Sequence, residues 1–389
     1  MCSIQLKTVL FICLIFKIFA TCDNECNLGL FRTQNNDKVL KSKEDALIFA
    51  HVIHRHGDRN ILFSYKNDPW KDESNWVGGF EELTREGKRQ TFELGQYLRR
   101  RYGKIIGDQY SPNKVYVRST DVDRTLMSAQ ANLAGLFPPT ANETWNEYIP
   151  WQPIPVHTMP ILLDHVLSHD SKCPKYDEAL QKFLKESTEI QQIYTKYADK
   201  FEYWSRMTGE NITTIFDAYE LYGIFYIETM QNKTLPDWAK KEYNDPNGLL
   251  YNIGKLKLMI STYTKELARL RIGFLIKEMF EHFTQKINNT MKPDRSLWIY
   301  SAHDLTIVNV LNALGVFDPV HIPPYASSLH LELYRNSANE HYIQIFYRKD
   351  NDEVISAMNL PKCGKKCSLE QLYKLYSEII PGDYDSECL

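Results

Sequence analysis

The sequence predicts an α/β fold with a central mixed sheet, flanked by helices and interrupted by an inserted helical cap. Two observations predict it. Three short apolar runs rich in branched residues have the composition of buried strands and end in polar loops, namely 46–53, 114–117 and 297–301. Each polar loop leads towards a segment with helical spacing, and strands that alternate with helices are typical of α/β sheets. In such sheets, ligands bind where polar residues gather at strand ends.

Local signals define the helices that follow these strands. Thr84 can cap a helix that runs until Gly103, which closes it. The segment 125–136 has helical spacing, with small residues packed inward. The segment 305–314 is also helical, and Gly315 ends it.

The remaining strands and the cap complete the predicted organisation. Near the C-terminus, 330–334 and 342–347 alternate apolar and polar residues, which predicts a pair of strands near the end of the sheet. The middle of the chain is charged, rich in Tyr and Lys, and has helical spacing. We therefore predict a sheet domain formed by 45–160 and 285–389, and a mostly helical cap or insertion formed by 161–284.

The composition narrows the class of function. The chain has 389 residues, of which 43% are hydrophobic and 24% charged, values that exclude extended disorder. Its 46 Lys and Arg stand against 49 Asp and Glu, so the formal net charge is −3. Because no global basic field exists to attract a nucleic-acid backbone, we expect no nucleic-acid partner, and any anion site must come from a local cluster.

The N-terminal segment predicts the compartment. Residues 1–22 contain Lys7 and an apolar run, and polar residues follow, which is the order found in a secretory signal peptide. No later stretch has the about 18 to 20 apolar residues of a membrane-spanning helix, so we expect no transmembrane anchor. The predicted product is a secreted, extracellular glycoprotein, since N-x-S/T sequons are present at Asn142, Asn211, Asn232 and Asn288.

The end of the first strand carries the segment Arg55-His56-Gly57-Asp58-Arg59. Two guanidinium groups flank one imidazole, and their planar donors match the oxygens of a phosphate dianion. Gly57 lets the chain turn without a side chain that would block the anion. The alternative is a surface basic turn paired with Asp58, and this segment alone leaves both interpretations open.

Two further strand ends favour the phosphate site. Arg124 follows the second strand, in or near the first turn of a helix, where free N–H groups and the helix dipole favour anions. His303 and Asp304 follow the third strand and add an imidazole and a carboxyl group. Arg118, at the end of the second strand, either contacts phosphate or pairs with a nearby acid.

These segments belong to a longer series of motifs that resembles one family. The chain is similar, over nearly its whole mature length, to the histidine acid phosphatases, and most closely to the secreted prostatic and lysosomal type of animals. The matching motifs are RHGDR at 55–59, RSTDVDRTLMSA at 118–129, LFPP at 136–139, WQPIPVHT at 151–158, YSAHD at 300–304 and PPYASS at 323–328. The resemblance implies a phosphoglycerate mutase-like fold.

The resemblance also implies the roles of the site residues. The histidine of R-H-G-D-R in this family attacks phosphorus, so His56 is the expected nucleophile and forms a phosphohistidine. Asp304 is the expected proton donor to the leaving alcohol. The phosphoryl oxygens would be held by Arg55, Arg59, Arg124 and His303. This scheme needs no metal ion and no cofactor, and its substrates are small phosphate monoesters, with aryl or phosphotyrosine-like esters as candidates.

The cysteines are expected to form disulfides in an exported protein. The resemblance supports two pairs, Cys173–Cys388 and Cys363–Cys367. The short spacing of the second pair by itself favours a bridge over a zinc site, since no second pair stands at zinc spacing. Cys26 has no counterpart in the family and is either free or paired with Cys22.

Several alternatives stay open at the level of sequence. A phytase-like or lysophosphatidate-directed enzyme would use the same fold. A secreted binding protein without turnover is the alternative of another class, although the complete catalytic set argues against it. Dimers occur among relatives, and the sequence leaves a homodimer open.

Some residues near the motifs are weaker candidates. A metal site is not expected at the three histidines His51, His54 and His56, because the signature assigns the last one another role. His157, among prolines, either borders the site or is buried and hydrogen-bonded. Tyr219 and Tyr222 in the cap are candidates to stack on an aryl ester.

Overall fold

One mixed sheet organises the fold. The computed structural model describes residues 45–243, 248–349 and 354–389. The strands in these ranges are β1 (Ala46–Arg55), β2 (Val115–Ser119), β3 (Leu297–Ala302), β4 (Ser328–Arg335) and β5 (His341–Arg348). They form a five-stranded sheet in the order β2-β3-β1-β4-β5. The pairs β1–β3 and β2–β3 are parallel, whereas β1–β4 and β4–β5 are antiparallel, so the predicted mixed sheet is confirmed.

Helices cover both faces of this sheet. In chain order they are α1 (Arg85–Ile106), α2 (Asp123–Leu136), α3 (Pro174–Glu186), α4 (Thr188–Lys196), α5 (Ala198–Thr208), α6 (Ile215–Met230), α7 (Asp237–Tyr243), α8 (Leu249–Ile260), α9 (Lys265–Arg271), α10 (Gly273–Ile287), α11 (Asp304–Ala313), α12 (Leu369–Tyr376) and α13 (Tyr384–Cys388). The predicted α/β class with flanking helices is therefore confirmed.

Strand β1 lies at the centre because it is apolar on both faces. Phe49 and Ile53 belong to a core that also contains residues of α10 and α11. Ala50 and Val52 belong to a second core, with residues of α1 and α2. All four side chains are fully buried. Their alternation between the two cores follows from the two-residue period of a strand.

Helix α1 is longer than predicted from the sequence. It begins after the N-cap Thr84, as expected, but it passes through Gly103 and ends at Ile106, with Gly107 as the C-cap. Ile106 is buried, so packing of the last turn on the core outweighs the weak helix propensity of Gly103. Gly107 has φ 83°, a left-handed conformation that glycine adopts without steric cost. The prediction that Gly103 closes the helix was wrong.

Helices α3 to α9 occupy most of the segment predicted as the cap. A separate apolar core forms there from buried residues such as Trp204, Ile215, Phe225 and Leu250. Helix α10 instead contributes to the core that contains Phe49 of β1. The domain boundaries given above stay a prediction.

Disulfides connect distant and close parts of the chain. Cys173 and Cys388 are bonded across 215 positions, and Cys363 and Cys367 across 4 positions. Cys22, Cys26 and the predicted signal peptide lie outside the described residues. The asparagines of the predicted sequons are all exposed, at Asn142, Asn211, Asn232 and Asn288. Within the described ranges, no helix combines the length and apolarity needed to cross a bilayer.

Candidate active site

Three neighbouring parallel strands bring the predicted residues to one edge of the sheet. Arg55 is the last residue of β1 and is in register with Ala302, the last residue of β3. Asp304 begins α11 directly after β3, and Arg124 lies in the first turn of α2, which follows β2. Because carboxyl ends of parallel strands meet at one edge, residues far apart in sequence converge there. The rings of His56 and His303 lie 5.7 Å apart.

The hydrogen bond of His56 determines which ring nitrogen is free. Its Nδ1 atom lies 2.8 Å from the carbonyl oxygen of Gly57. A carbonyl oxygen only accepts, so Nδ1 carries the proton and Nε2 keeps its lone pair. Burial and the neighbouring Arg55 lower the pKa of His56 well below its ordinary value. The imidazole is therefore neutral, with Nε2 available as a nucleophile.

The loop after β1 is held tightly against α1. A Cβ atom at Gly57 would lie 2.1 Å from the carbonyl oxygen of Gly87, so this close approach requires glycine. The hydroxyl of Thr84 donates to the Asp58 carboxylate across 2.5 Å, which joins the loop to the start of the helix. Asp58 is buried, as are Arg55 and His56, so the alternative of a surface basic turn was wrong.

The arginines around His56 leave buried donors without partners. Arg55 donates to the carbonyl oxygen of Pro323 at 2.5 Å, and its guanidinium lies 4.1 Å from the centre of the Tyr325 ring. In the described residues, no hydrogen-bond partner is present for the buried Nε atoms of Arg55, Arg59 and Arg124. Unsatisfied cationic N–H groups at one place favour an anion with several oxygens.

His303 is held next to His56 by a hydrogen bond to a hydroxyl group. Its Nε2 atom lies 3.0 Å from the hydroxyl of Thr120, which in turn lies 2.9 Å from the hydroxyl of Thr125. Burial and the nearby His169 lower the pKa of His303 well below its ordinary value. A short chain of hydroxyls thus holds the ring in place beside His56.

Asp304 faces the same cluster from the start of α11. Its Oδ2 atom lies 3.0 Å from Nη2 of Arg55 and accepts a hydrogen bond from the Tyr219 hydroxyl at 3.2 Å. Burial alone would raise the pKa of this carboxyl group, but the positive charges of Arg55 and Lys257 outweigh it and hold the pKa well below the ordinary value. Asp304 is therefore ionised when only these groups surround it.

A tyrosine-lined pocket opens beside the arginines. The cavity has a volume of about 190 Å³, and Arg55 and Arg59 form part of its wall. Five tyrosines from the cap and from the segment before β4 line the rest: Tyr219, Tyr222, Tyr226, Tyr251 and Tyr325. The wall is thus cationic at the two arginines and largely aromatic elsewhere.

Comparison with known proteins identifies the family. Residues 46–348 match the family described as "Histidine phosphatase superfamily (branch 2)". The chain belongs to this superfamily. It is 37% identical over 346 residues to the prostatic acid phosphatase of Rattus norvegicus, covering 88% of this chain and 89% of that protein. It is 35% identical over 345 residues to the lysosomal acid phosphatase of Homo sapiens, covering 88% of this chain and 80% of that protein.

A solved structure supports the fold of this histidine phosphatase. The phytase from Citrobacter braakii superposes with a TM-score of 0.61, covering 88% of this chain and 99% of that one. At 19% identity, this likeness concerns the fold alone. The identity to the named acid phosphatases, by contrast, makes this chain an enzyme of their group, a phosphoric monoester hydrolase.

Two residues considered from the sequence lie away from the histidine phosphatase site. Arg118 forms ion pairs with Asp164 and, at 3.5 Å, with Glu278, so the second of its two predicted roles is confirmed. His157 is exposed and stacks on Tyr116 with ring centres 4.6 Å apart. The prediction that it is buried and hydrogen-bonded was wrong, and it does not line the tyrosine pocket.

The two buried histidines of β1 do not join His56. His51 stacks on His282 with ring centres 5.2 Å apart, inside an aromatic part of the core. His54 contacts the carbonyl oxygen of Arg55 through Nδ1 at 3.2 Å. Both are fully buried, and burial lowers the pKa of each.

The sequence predicts some of the tyrosines that line the pocket but not all of them. Tyr219 and Tyr222 were candidates, whereas Tyr226, Tyr251 and Tyr325 were not. Helical spacing on α6 was the available signal for Tyr226, because residues three and four apart share a face. Tyr325 lies in the PPYASS motif, but nothing in the sequence indicated that its ring would contact Arg55.

Proposed function

We propose that this histidine phosphatase hydrolyses phosphate monoesters through a covalent phosphohistidine at His56. The observation that carries the proposal is the 2.8 Å contact between His56 Nδ1 and the Gly57 carbonyl oxygen, because in a neutral ring it places the proton on Nδ1 and the lone pair on Nε2. A neutral imidazole nitrogen is nucleophilic, and it needs no base to activate it. Arg55, Arg59, Arg124 and His303 hold the phosphoryl oxygens and stabilise the charge that develops on them.

The first step transfers the phosphoryl group to the enzyme. Nε2 of His56 forms a bond to phosphorus while the bond from phosphorus to the ester oxygen breaks. Asp304 donates its proton to that oxygen, so the leaving group departs as a neutral alcohol. In the second step, water attacks phosphorus and gives a proton to the Asp304 carboxylate, and the phosphorus–nitrogen bond breaks. The products are alcohol and inorganic phosphate, and the phosphate takes the proton from Asp304 as it leaves, which restores the ionised carboxylate.

The ionised state of Asp304 requires a source for its proton. A phosphate monoester has a second pKa of about 6, so below that pH it enters as a monoanion that carries one proton. The bound phosphate also competes for Arg55 and adds negative charge near Asp304, and both effects raise the pKa of the carboxyl group. Transfer of the substrate proton to Asp304 produces the acid that the first step needs. This sequence of events accounts for activity in the acid range.

The aromatic wall supports a small, aryl-type leaving group. Tyr219 and Tyr222 border the cavity next to Arg55, where an aromatic alcohol can stack. The cavity volume of about 190 Å³ is below the about 300 to 1,000 Å³ of pockets for drug-sized ligands. Aryl phosphates and phosphotyrosine-like esters therefore fit this pocket better than a substrate as bulky as inositol hexakisphosphate.

Trapping of the phosphoenzyme tests the proposal. Wild type is mixed with a radiolabelled aryl phosphate and quenched at alkaline pH, where phosphohistidine persists. We expect label on the peptide that contains His56, with His56→Ala unlabelled and its kcat lower by about 10⁴-fold or more. His157→Ala replaces an exposed histidine away from the pocket and serves as the matched control. Label retained in His56→Ala, or activity abolished by a chelator, would contradict the mechanism.

Secretion, glycosylation and assembly belong to the same proposal. We infer that residues 1–22 direct export and are removed, and that the exposed sequon asparagines carry glycans. N-terminal sequencing of the exported protein and a mass shift after glycosidase treatment test these two points. Light scattering of the purified protein determines whether it forms the homodimer that the sequence leaves open.

A further inference from the structure

Glu220 lies where the catalytic pocket meets two other cavities. It follows Tyr219 on α6 and lines the same pocket as Arg55 and Arg59. It also lines a cavity of about 360 Å³ that contains His169 and Lys257, and another of about 370 Å³ on the far side of α6. Since the hydroxyl of Tyr219 contacts Asp304, this part of α6 forms the leaving-group side of the site.

The carboxylate of Glu220 has no close partner of its own. Across the described ranges, no hydrogen bond and no ion pair within 4.0 Å engages it. Burial raises its pKa, and Lys257 and Arg59 counteract this only in part. An unpaired, mostly buried carboxylate is costly unless a cationic group approaches it. A ligand can supply that group, because Glu220 borders an open cavity.

The tyrosine rings that line the same pocket as Glu220 form an aromatic wall. The Tyr222 ring lies 5.2 Å from Tyr251 and 6.5 Å from Tyr226, and Tyr226 lies 6.2 Å from Tyr325. Faces of tyrosine rings attract ammonium groups, and aromatic walls of this kind recognise choline-like cations in other proteins. A carboxylate at the edge of such a wall completes a site for an ammonium group.

We propose that Glu220 selects the leaving group by its charge, so that the preferred substrates are phosphate monoesters whose alcohol carries an ammonium group. This inference rests on the proposed phosphatase function and adds the substrate class. The phosphate lies at the arginines, and the ammonium group lies against the tyrosines and Glu220. An anionic group at the same place would be repelled.

Other charged groups near Glu220 influence the pH at which its carboxylate ionises. Lys257 of α8 lies on the neighbouring cavity, with its ammonium 4.2 Å from the centre of the Tyr219 ring. Arg59, Asp304 and Asp217 also influence the carboxylate. Because burial raises the pKa of Glu220, its carboxylate becomes charged at a higher pH than that of an ordinary glutamate. Preference for an ammonium substrate must therefore increase as the pH rises.

A matched pair of substrates tests the charge preference directly. Phosphocholine and 3,3-dimethylbutyl phosphate have the same shape, but only the first carries an ammonium group. We expect wild type to favour phosphocholine by about tenfold in kcat/KM near neutral pH. Glu220→Gln should reduce that ratio to near one. Glu202→Gln, which changes an exposed glutamate on α5, is the control and should keep the wild-type ratio. Where turnover is slow, inhibition constants against p-nitrophenyl phosphate give the same ratio.

The ratio separates this inference from the proposed function. The ratio compares two ligands on the same protein sample. A lower fraction of folded enzyme therefore changes both kcat/KM values equally and leaves their ratio unchanged. A ratio near one in wild type, or a ratio that Glu220→Gln leaves unchanged, overturns the inference about Glu220. The proposed phosphatase function still stands in that case if the enzyme hydrolyses p-nitrophenyl phosphate. Failure to hydrolyse p-nitrophenyl phosphate overturns the proposed function instead. A ratio that rises with pH in wild type and stays flat in Glu220→Gln supports the inference.

Discussion

The guanidinium of Arg55 forms an ion pair with the carboxylate of Asp304, with 3.0 Å between Nη2 and Oδ2. The same guanidinium is expected to bind the phosphoryl group, so phosphate binding and the protonation of Asp304 are coupled through one residue. While Arg55 is paired with Asp304, the carboxyl group stays ionised. When a phosphate takes up Arg55, the proton affinity of Asp304 rises.

Replacement of the proposed proton donor Asp304 should slow hydrolysis most for substrates with poor leaving groups. In Asp304→Asn, the kcat/KM of an alkyl phosphate should fall by about 10² to 10⁴-fold, the usual contribution of a general acid. The loss should be smaller for p-nitrophenyl phosphate, whose leaving group departs without a proton. A series of substituted phenyl phosphates measures this dependence on the leaving group. Equal losses across the series would exclude Asp304 as the proton donor.

The hydroxyl of Tyr219 should tune the same carboxyl group. It donates to Asp304 Oδ2 at 3.2 Å, which stabilises the ionised form. In Tyr219→Phe the pKa of Asp304 should rise, so the alkaline limb of the kcat profile should move to higher pH, by up to about one unit. Tyr222→Phe changes the next tyrosine of the same pocket wall and should leave the limb in place. A shift to lower pH in Tyr219→Phe would refute the assigned role.

Glu81 should weaken the binding of phosphate. Its carboxylate lies 3.0 Å from Nη1 of Arg124, one of the predicted phosphate ligands, and 56% of its side chain is exposed. Because exposed ion pairs are weak, Glu81→Gln should lower the inhibition constant of inorganic phosphate only about two- to fivefold. The exposed Glu147 lies elsewhere on the surface, so Glu147→Gln is the matched control. An unchanged constant would show that Glu81 does not compete for Arg124.

The grouping of the predicted site residues could be anticipated because they lie at or near the ends of strands, whereas the role of each residue is implied only by the family resemblance. Arg55 ends β1 and Asp304 follows β3, and parallel pairing of these strands brings both to one edge. Short strands buried on both faces have a clear sequence signal, as residues 46–53 demonstrate. Once the three strand ends are assigned to one sheet, the sequence therefore predicts that these residues lie close together.

The other features of the fold and of the site depend on contacts that no local sequence pattern encodes. Tyr251 on α8 and Tyr325 before β4 line one pocket, although 74 positions separate them. Arg118 pairs with Asp164 and Glu278, which lie on other segments. The end of α1 was misplaced because burial of Ile106, rather than the propensity of Gly103, decides where the helix stops. Tertiary packing overrides local preference in each case.

The two disulfides should contribute unequally to stability. The Cys173–Cys388 bond closes a loop of 215 positions, and the chain-entropy relation assigns such a loop about 5 kcal/mol. The Cys363–Cys367 bond spans 4 positions, for which the same relation gives about 2 kcal/mol. Urea unfolding of the double variants Cys173→Ser/Cys388→Ser and Cys363→Ser/Cys367→Ser measures the difference. A larger loss from the short loop would contradict the loop-length argument.

Glu228 should make the enzyme more stable in acid than at neutral pH. Its side chain is fully buried on α6, and burial together with the nearby Asp68 raises its pKa from 4.5 to about 9. The folded protein therefore holds a proton that the unfolded chain loses above about pH 4.5. Below that pH the group has no cost, and from there towards pH 9 stability falls as the pH rises.

The variant Glu228→Gln isolates this effect because glutamine is neutral at every pH. Near pH 7.5 it should raise the free energy of unfolding by about 4 kcal/mol relative to wild type, and near pH 4.5 almost all of this gain should vanish. Urea unfolding at the two pH values measures the difference, with the exposed Glu202→Gln as the control. An equal change at both pH values would mean that packing, and not the proton on Glu228, decides the stability at this position.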